Sequence, residues 1–271
     1  MIKTRYNTFS LKEPIVMGIL NLTPDSFFDG NRYLKSTSYL HQVEKMLIEG
    51  ADIIDIGAVS SRPGASLLSV QEEIERLEKP IQEVLKHFPK TSISIDTFRQ
   101  SVVERFWDEG ISIVNDISGG TLDNKMISFV DKNHIPYVMM HMQGTPQNMQ
   151  QNPHYLNITN EIKKFFQTQL QQFTDPRNVI LDVGFGFGKT LAHNYQLLKE
   201  LSSFQELGLP ILVGISRKSM IYKLLNIIPE EALNGTTVAH TIALLNGVNI
   251  LRVHDVKEAK EAVKIIQFMD L

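Results

Sequence analysis

A chain of 271 residues with a net charge of −3 has no global field to draw in nucleic acid or an anionic membrane surface. It contains no cysteine, which excludes disulfides, thiolate zinc sites and cysteine nucleophiles together and fits a reducing, cytoplasmic setting. Its apolar share of 42% suffices for a sizeable core, while no apolar stretch approaches the ~18 residues of a membrane span.

The first predicted strand, Ile15–Leu20, empties into Asn21-Leu-Thr-Pro-Asp-Ser-Phe-Phe-Asp-Gly30. A Phe27-Phe28 pair in a polar loop is costly unless something covers it, so this segment reads as a loop that closes on substrate. A helix follows over Ser38–Glu49, then a strand over Ile53–Gly57 leading into Ser60-Ser61-Arg62-Pro63-Gly64. The pattern then repeats. Helices are predicted at Val70–His87, Gln100–Glu109, Asn124–Asn133 and Tyr155–Phe173, after strands at Ile53–Gly57, Ser92–Asp96, Ile113–Asp116 and Pro136–His141. The Gln-, Asn- and Met-rich stretch Met142–His154 reads as a surface excursion. Strand Val179–Asp182 precedes the glycine-rich Val183–Thr190 and a helix at His193–Leu201. Strand Ile211–Gly214 leads through Ser216-Arg217-Lys218-Ser219 to helices Ser219–Leu225 and Thr236–Asn246. Strand Ile250–Val253 and helix Lys257–Met269 end the series.

Strands apolar on both faces, alternating with amphipathic helices, indicate a parallel α/β fold. Eight such units predict one closed (β/α)8 TIM barrel over residues 1–271, with an open doubly wound sheet as the alternative. Active sites in such barrels lie at the carboxyl ends of the strands. There the sequence places Asn21, Asp55, Asp96, Asn115, Met139, Asp182, Lys218, Arg252 and His254. Every end being polar or ionisable reads as a site.

The set divides chemically. Asp96, Asn115 and Asp182 offer carboxylate and amide edges suited to a planar heterocycle with adjacent N–H donors, and Lys218 adds a cation and donor. An ion pair between Lys218 and Asp182 is the plain alternative. Arg252 and His254 share a face by period two and, near Asn21 and Ser61-Arg62, make a phosphate or diphosphate cradle. A diphosphate brings Mg²⁺, which takes oxygen ligands, and Asn21 is the candidate protein oxygen. Ser219 opens a helix whose amino end could hold a carboxylate, or simply caps it. Met139, at a strand end, is expected on the pocket floor. The run Val183–Thr190 misses the nucleotide P-loop by one residue, because Val183 stands where the first glycine is required. Its glycines instead let backbone approach a ligand, with Phe187 available to cover an aromatic ring.

Several phrases, in order along nearly the whole chain, resemble those of the dihydropteroate synthases, a family of the pterin-binding barrel superfamily. They are Met17–Gly30, Asp55-Ile-Gly57 with Ser61-Arg-Pro-Gly64, Ser94-Ile-Asp-Thr97, Asn115–Gly120 and Met140-His-Met-Gln-Gly144. Asp182–Lys189, Gly214–Ser219 and Arg252-Val-His-Asp-Val256 complete the set. The resemblance implies that 4-aminobenzoate displaces diphosphate from a dihydropterin methyl diphosphate, with Arg62, Lys218, Arg252 and His254 as catalytic residues. It implies pterin contacts at Asp96, Asn115, Asp182 and Lys218. The diphosphate would meet Asn21, Ser61, Arg252 and His254, with Mg²⁺ on Asn21, and the aminobenzoate would meet Arg62, Pro63, Phe187 and Ser219. It also implies a homodimer. The sequence departs from the family's second loop: Gly57-Ala-Val-Ser-Ser-Arg-Pro replaces Gly-Gly-Glu-Ser-Thr-Arg-Pro, so Val59 stands for an acid while Ser61 keeps a hydroxyl. Related barrels that hold a methylfolate for a corrinoid partner would share the pterin carboxylates but have no need of the anion cradle.

Overall fold

The computed structural model describes residues 1–22, 36–59 and 68–269. Two short strands, β1 (Ile2–Lys3) and β2 (Thr8–Phe9), pair antiparallel ahead of the repeating units. The predicted strands follow as β3 (Ile15–Asn21), β4 (Ile53–Gly57), β5 (Ser92–Asp96) and β6 (Ile113–Asp116). They continue as β7 (Tyr137–Met140), β8 (Val179–Asp182), β9 (Ile211–Val213) and β10 (Ile250–Val253). These eight pair in parallel and in chain order, and β10 returns to β3 to close the barrel. The open-sheet alternative is thereby excluded.

Helices α1 (Ser36–Ile48), α2 (Val70–His87), α3 (Gln100–Trp107), α4 (Met126–Lys132) and α5 (Ile158–Leu170) connect the first strands. Helices α6 (Leu191–Lys199), α7 (Ser219–Leu225), α8 (Leu233–Leu245) and α9 (Val256–Met269) complete the ring. Local chemistry sets several of these boundaries. Ser69 caps α2 through a reciprocal box with Glu72, and Thr190 caps α6 by accepting from the His193 backbone N–H.

Alternation along each strand sorts the barrel into two apolar layers. Val16, Ile54, Ile93, Val114, Tyr137, Val179 and Val213 face the helices, whereas Ile15, Met17, Ile53, Ile113, Val138, Ile180, Leu212 and Ile250 fill the interior. The hairpin adds Ile2 and Phe9 to that interior layer, and with Leu11 it stoppers the amino end. Two-residue strands have no periodicity to read, which is why the sequence did not announce this plug. With this apolar layer filling the lower interior, the polar strand ends are left together toward the carboxyl side.

Candidate active site

Strand register brings the polar ends together. Asn21 pairs with Gly57, Gly57 with Asp96 and Asp96 with Asn115, so one row crosses four strands at the rim. Gly57 is needed in that row: a Cβ there would stand 3.1 Å from the Cβ of Asp96. Arg252 reaches across the barrel from β10. Its Nε donates to Asp55 at 2.7 Å and a terminal nitrogen donates to Asp96 at 2.6 Å. The Asn115 amide donates to the same Asp55 oxygen at 3.0 Å.

One guanidinium thus holds two carboxylates that would otherwise repel. Burial pushes the Asp96 carboxyl up to about 7; Arg252 opposes this, while Asp55 adds to it. For Arg252 the desolvation loss is outweighed by the attraction of Asp55 and Asp96, so it stays charged. The other Asp55 oxygen and the Ser94 hydroxyl, both buried, have no partner among the described residues.

Asp182 ends β8, two residues beyond Ile180, to which the register of that row leads through Val138, and burial raises its carboxyl as well. Its Oδ1 accepts from the Gly184 N–H at 2.8 Å, which opens the glycine-rich connection to α6. The Lys218 ammonium donates to the Phe185 carbonyl and lies 4.5 Å from the centre of the Phe187 ring. The ion pair considered for Lys218 and Asp182 therefore does not account for the lysine. Burial lowers Lys218 to about 8, against the pull of Asp182. Phe187 packs with Phe98, Ile117, Met140 and Met149 into a small apolar wall.

Arg217 sits in the left-handed region at φ +53°, an uncommon place for a side chain. Its fork grips Asp255 through two 2.8 Å bonds. That pair ties the turn carrying Lys218 and Ser219 to the turn carrying His254. His254 donates its backbone N–H to the Ser216 hydroxyl at 3.2 Å, and its Nδ1 lies 3.1 Å from the same oxygen. Crowding by protein and then the Arg252 charge hold its ring down at about 4.

The structure gathers Asn21, Asp96, Asn115, Asp182, Phe187, Lys218, Arg252 and His254 at one end of the barrel. Ser219 is the first residue of α7, with Lys218 in the cap position and no side-chain capping bond. Ser61, Arg62 and Pro63, like the loop after Leu22, lie outside the described residues. Met139 is a correction. Period two on β7 turns it outward into the layer under the helices, and Met140 faces the cavity wall instead. Met142–His154 is the surface excursion expected, mostly exposed, and it is pinned back by the buried Met149 and by a bond from Gln150 to the Gly186 carbonyl at 2.5 Å. Asp55 is a site residue that the sequence reading placed at a strand end without a role. Its signal was available, because its spacing from Ile53 and Gly57 marks an inward position.

Similarity to known proteins agrees with this geometry. The pattern of the family described as "pterin binding enzyme" matches residues 17–254. The dihydropteroate synthase of Escherichia coli K12 is 40% identical over 264 residues, covering 96% of this chain and 93% of that protein. A crystal structure of Yersinia pestis dihydropteroate synthase with a sulfonamide drug superposes with a TM-score of 0.93 at 40% identity, covering 99% and 98% of the two chains. The Xanthomonas albilineans dihydropteroate synthase with 4-aminobenzoic acid gives a TM-score of 0.89 at 34% identity, covering 97% and 95%.

Proposed function

The chain belongs to the family of pterin-binding enzymes and is a transferase of the dihydropteroate synthase type, and we propose that the polar rim described above carries the whole reaction. In it, 4-aminobenzoate displaces diphosphate from (7,8-dihydropterin-6-yl)methyl diphosphate to give 7,8-dihydropteroate. The row Asp96–Asn115 together with Asp182 is the observation that carries the site assignment. Three acceptor-bearing side chains around a cavity match the N–H edges of a pterin, and Lys218 donates to its acceptor edge. A methyl-transfer role is disfavoured, because Arg252 and His254 supply an anion cradle such a domain does not need.

In this reading the substitution is dissociative. The pterin ring delocalises positive charge as its bond to diphosphate breaks, and Asp96 and Asp182 favour that cation. Arg252, anchored by Asp55, keeps donors of its fork free for the departing anion, a preorganised charge of the kind that usually dominates catalysis. His254, held neutral by burial and the Arg252 charge, gains a proton more readily beside diphosphate. Ser61 is assigned to the diphosphate, and Arg62 and Pro63, with Phe187 and Ser219, to the aminobenzoate side, where closing loops exclude water that would capture the cation. Asn21 offers an amide oxygen at the rim, which fits magnesium's preference. No cluster of three or more His, Cys, Asp or Glu among the described residues could cage a metal alone. Bound with its diphosphate, a magnesium ion would supply further charge neutralisation at the leaving group, held on the protein side by Asn21.

A homodimer belongs to the same reading. Val238, Ile242 and Leu245 form one exposed apolar face of α8, and Leu224 and Leu225 of the neighbouring α7, with Ile228 just after it, are exposed as well. A second copy is the occupant that such a stripe suits in a chain whose family resemblance implies pairing. The reaction is tested by following diphosphate release from the pterin diphosphate with Mg²⁺. Release that requires 4-aminobenzoate supports the assignment, and release indifferent to it rejects the assignment.

A further inference from the structure

The failed P-loop phrase ends in Lys189, a lysine that the reaction as described does not use. It is 3% exposed, and its ammonium is met by three acceptors: the Phe187 carbonyl at 2.9 Å, His141 Nδ1 at 3.1 Å and the His141 carbonyl at 3.3 Å. An ammonium has three N–H donors, so the count matches one for one. Burying such a charge is expensive unless it is fully partnered, and Asp182 supplies the nearby negative charge.

What the lysine fastens is the shelf between β8 and α6. Each carbonyl from Gly184 to Gly188 is engaged. Gly184 accepts from the Phe187 N–H, Phe185 from Lys218 and Gly186 from Gln150. Phe187 accepts from Lys189, and Gly188 accepts from the Tyr155 hydroxyl at 2.8 Å. The Gly186 N–H donates to Asn194 at 2.7 Å. Gln150 and Tyr155 also reach the shelf from the connection after β7, but among these fasteners Lys189 is the one that joins His141, at the end of β7, to the carbonyl of Phe187 itself. It fits against Gly184, where a Cβ would stand only 3.3 Å from Nζ and 2.0 Å from the His141 carbonyl oxygen.

We infer that Lys189 is a positioning residue for the second substrate: by clamping the Phe187 carbonyl to His141 it sets the aromatic wall against which 4-aminobenzoate docks. The inference rests on the reading of this cavity given above. Asp182 keeps its own anchor, the Gly184 N–H, so the pterin subsite depends less on the clamp.

The experiment is steady-state kinetics of Lys189→Met and Lys189→Gln, with folded fraction measured by circular dichroism and melting. Lys189→Met should raise KM for 4-aminobenzoate by about tenfold, the scale of losing charge-assisted hydrogen bonds. Its KM for pterin diphosphate should change less, and Lys189→Gln, which keeps two donors, should fall between. In a double-mutant cycle with Phe187→Ala, the Lys189→Met effect should shrink, since both act through one ring. A merely stabilising lysine would lower the melting point while leaving the aminobenzoate KM of folded protein unchanged and the cycle additive. That result overturns the inference, and so does failure of both variants to fold. A wild-type protein that shows no aminobenzoate-dependent turnover would instead reject the reading of the site itself.

Discussion

At the scale of single residues, Arg252 bears the most weight. The sequence alone treats it as one arm of an anion cradle. The structure instead makes it the counter-charge for Asp55 and Asp96. Arg252→Ala should therefore lower turnover by roughly 10²-fold or more, the loss typical of one preorganised donor, and should also lower the melting temperature, because two buried carboxylates lose their partner. Unchanged turnover would remove Arg252 from the leaving-group role. Asp96 carries a second expectation. Its carboxyl titrates near 7 in the fold but in the ordinary acid range when unfolded, so the folded state binds its proton more tightly. Its contribution to stability is present below the unfolded value and is lost as pH rises through about 7. Melts of the ligand-free protein across that range should show a fall with rising pH that Asp96→Asn flattens, while the variant loses pterin affinity. An identical pH slope in both proteins would contradict this account of Asp96.

At the scale of elements, the strand ends were legible because parallel strands buried on both faces stand out as apolar runs. Five of the predicted strands, Ile53–Gly57, Ser92–Asp96, Ile113–Asp116, Val179–Asp182 and Ile250–Val253, end where the structure ends them. What the sequence withheld is orientation and closure. Met139 and Met140 are chemically alike, and only pairing of β7 with its neighbours decides which one faces inward. The fold-back of Met149 is tertiary, and nothing periodic signals it. The glycine shelf allows a test of close approach. Gly184 and Gly208 share nearly the same backbone angle, φ +70° and +69°, but nothing lies within 4 Å of a Cβ at Gly208. Gly208→Ala should cost about 1 kcal/mol, the strain of the left-handed conformation alone. Gly184→Ala should cost more, because the new methyl meets the His141 carbonyl. Equal losses in chemical denaturation would mean that the shelf yields.

At the scale of the whole molecule, one end of the barrel is sealed by hydrocarbon and the hairpin, and the other is left for chemistry. That polarity was legible, since the ionisable residues of the predicted strands and of the turns after them gather toward the carboxyl ends. The network among Asp55, Asp96, Asn115 and Arg252 was not, because it joins residues as far as 197 positions apart and exists only once the barrel closes. The apolar face of α7 and α8 acts at the same scale. If the proposed homodimer forms through this face, Val238→Glu together with Leu245→Glu should convert it to monomers in analytical ultracentrifugation, and a sedimentation profile unaffected by the pair would reject this face as the interface. The most direct measurement of the central claim is a crystal structure grown with a pterin diphosphate analogue. The ring should lie in the barrel mouth, bonded to Asp96, Asn115, Asp182 and Lys218 with its diphosphate toward Arg252 and His254. Density for the ring at any other surface, with these side chains unchanged, would contradict the account.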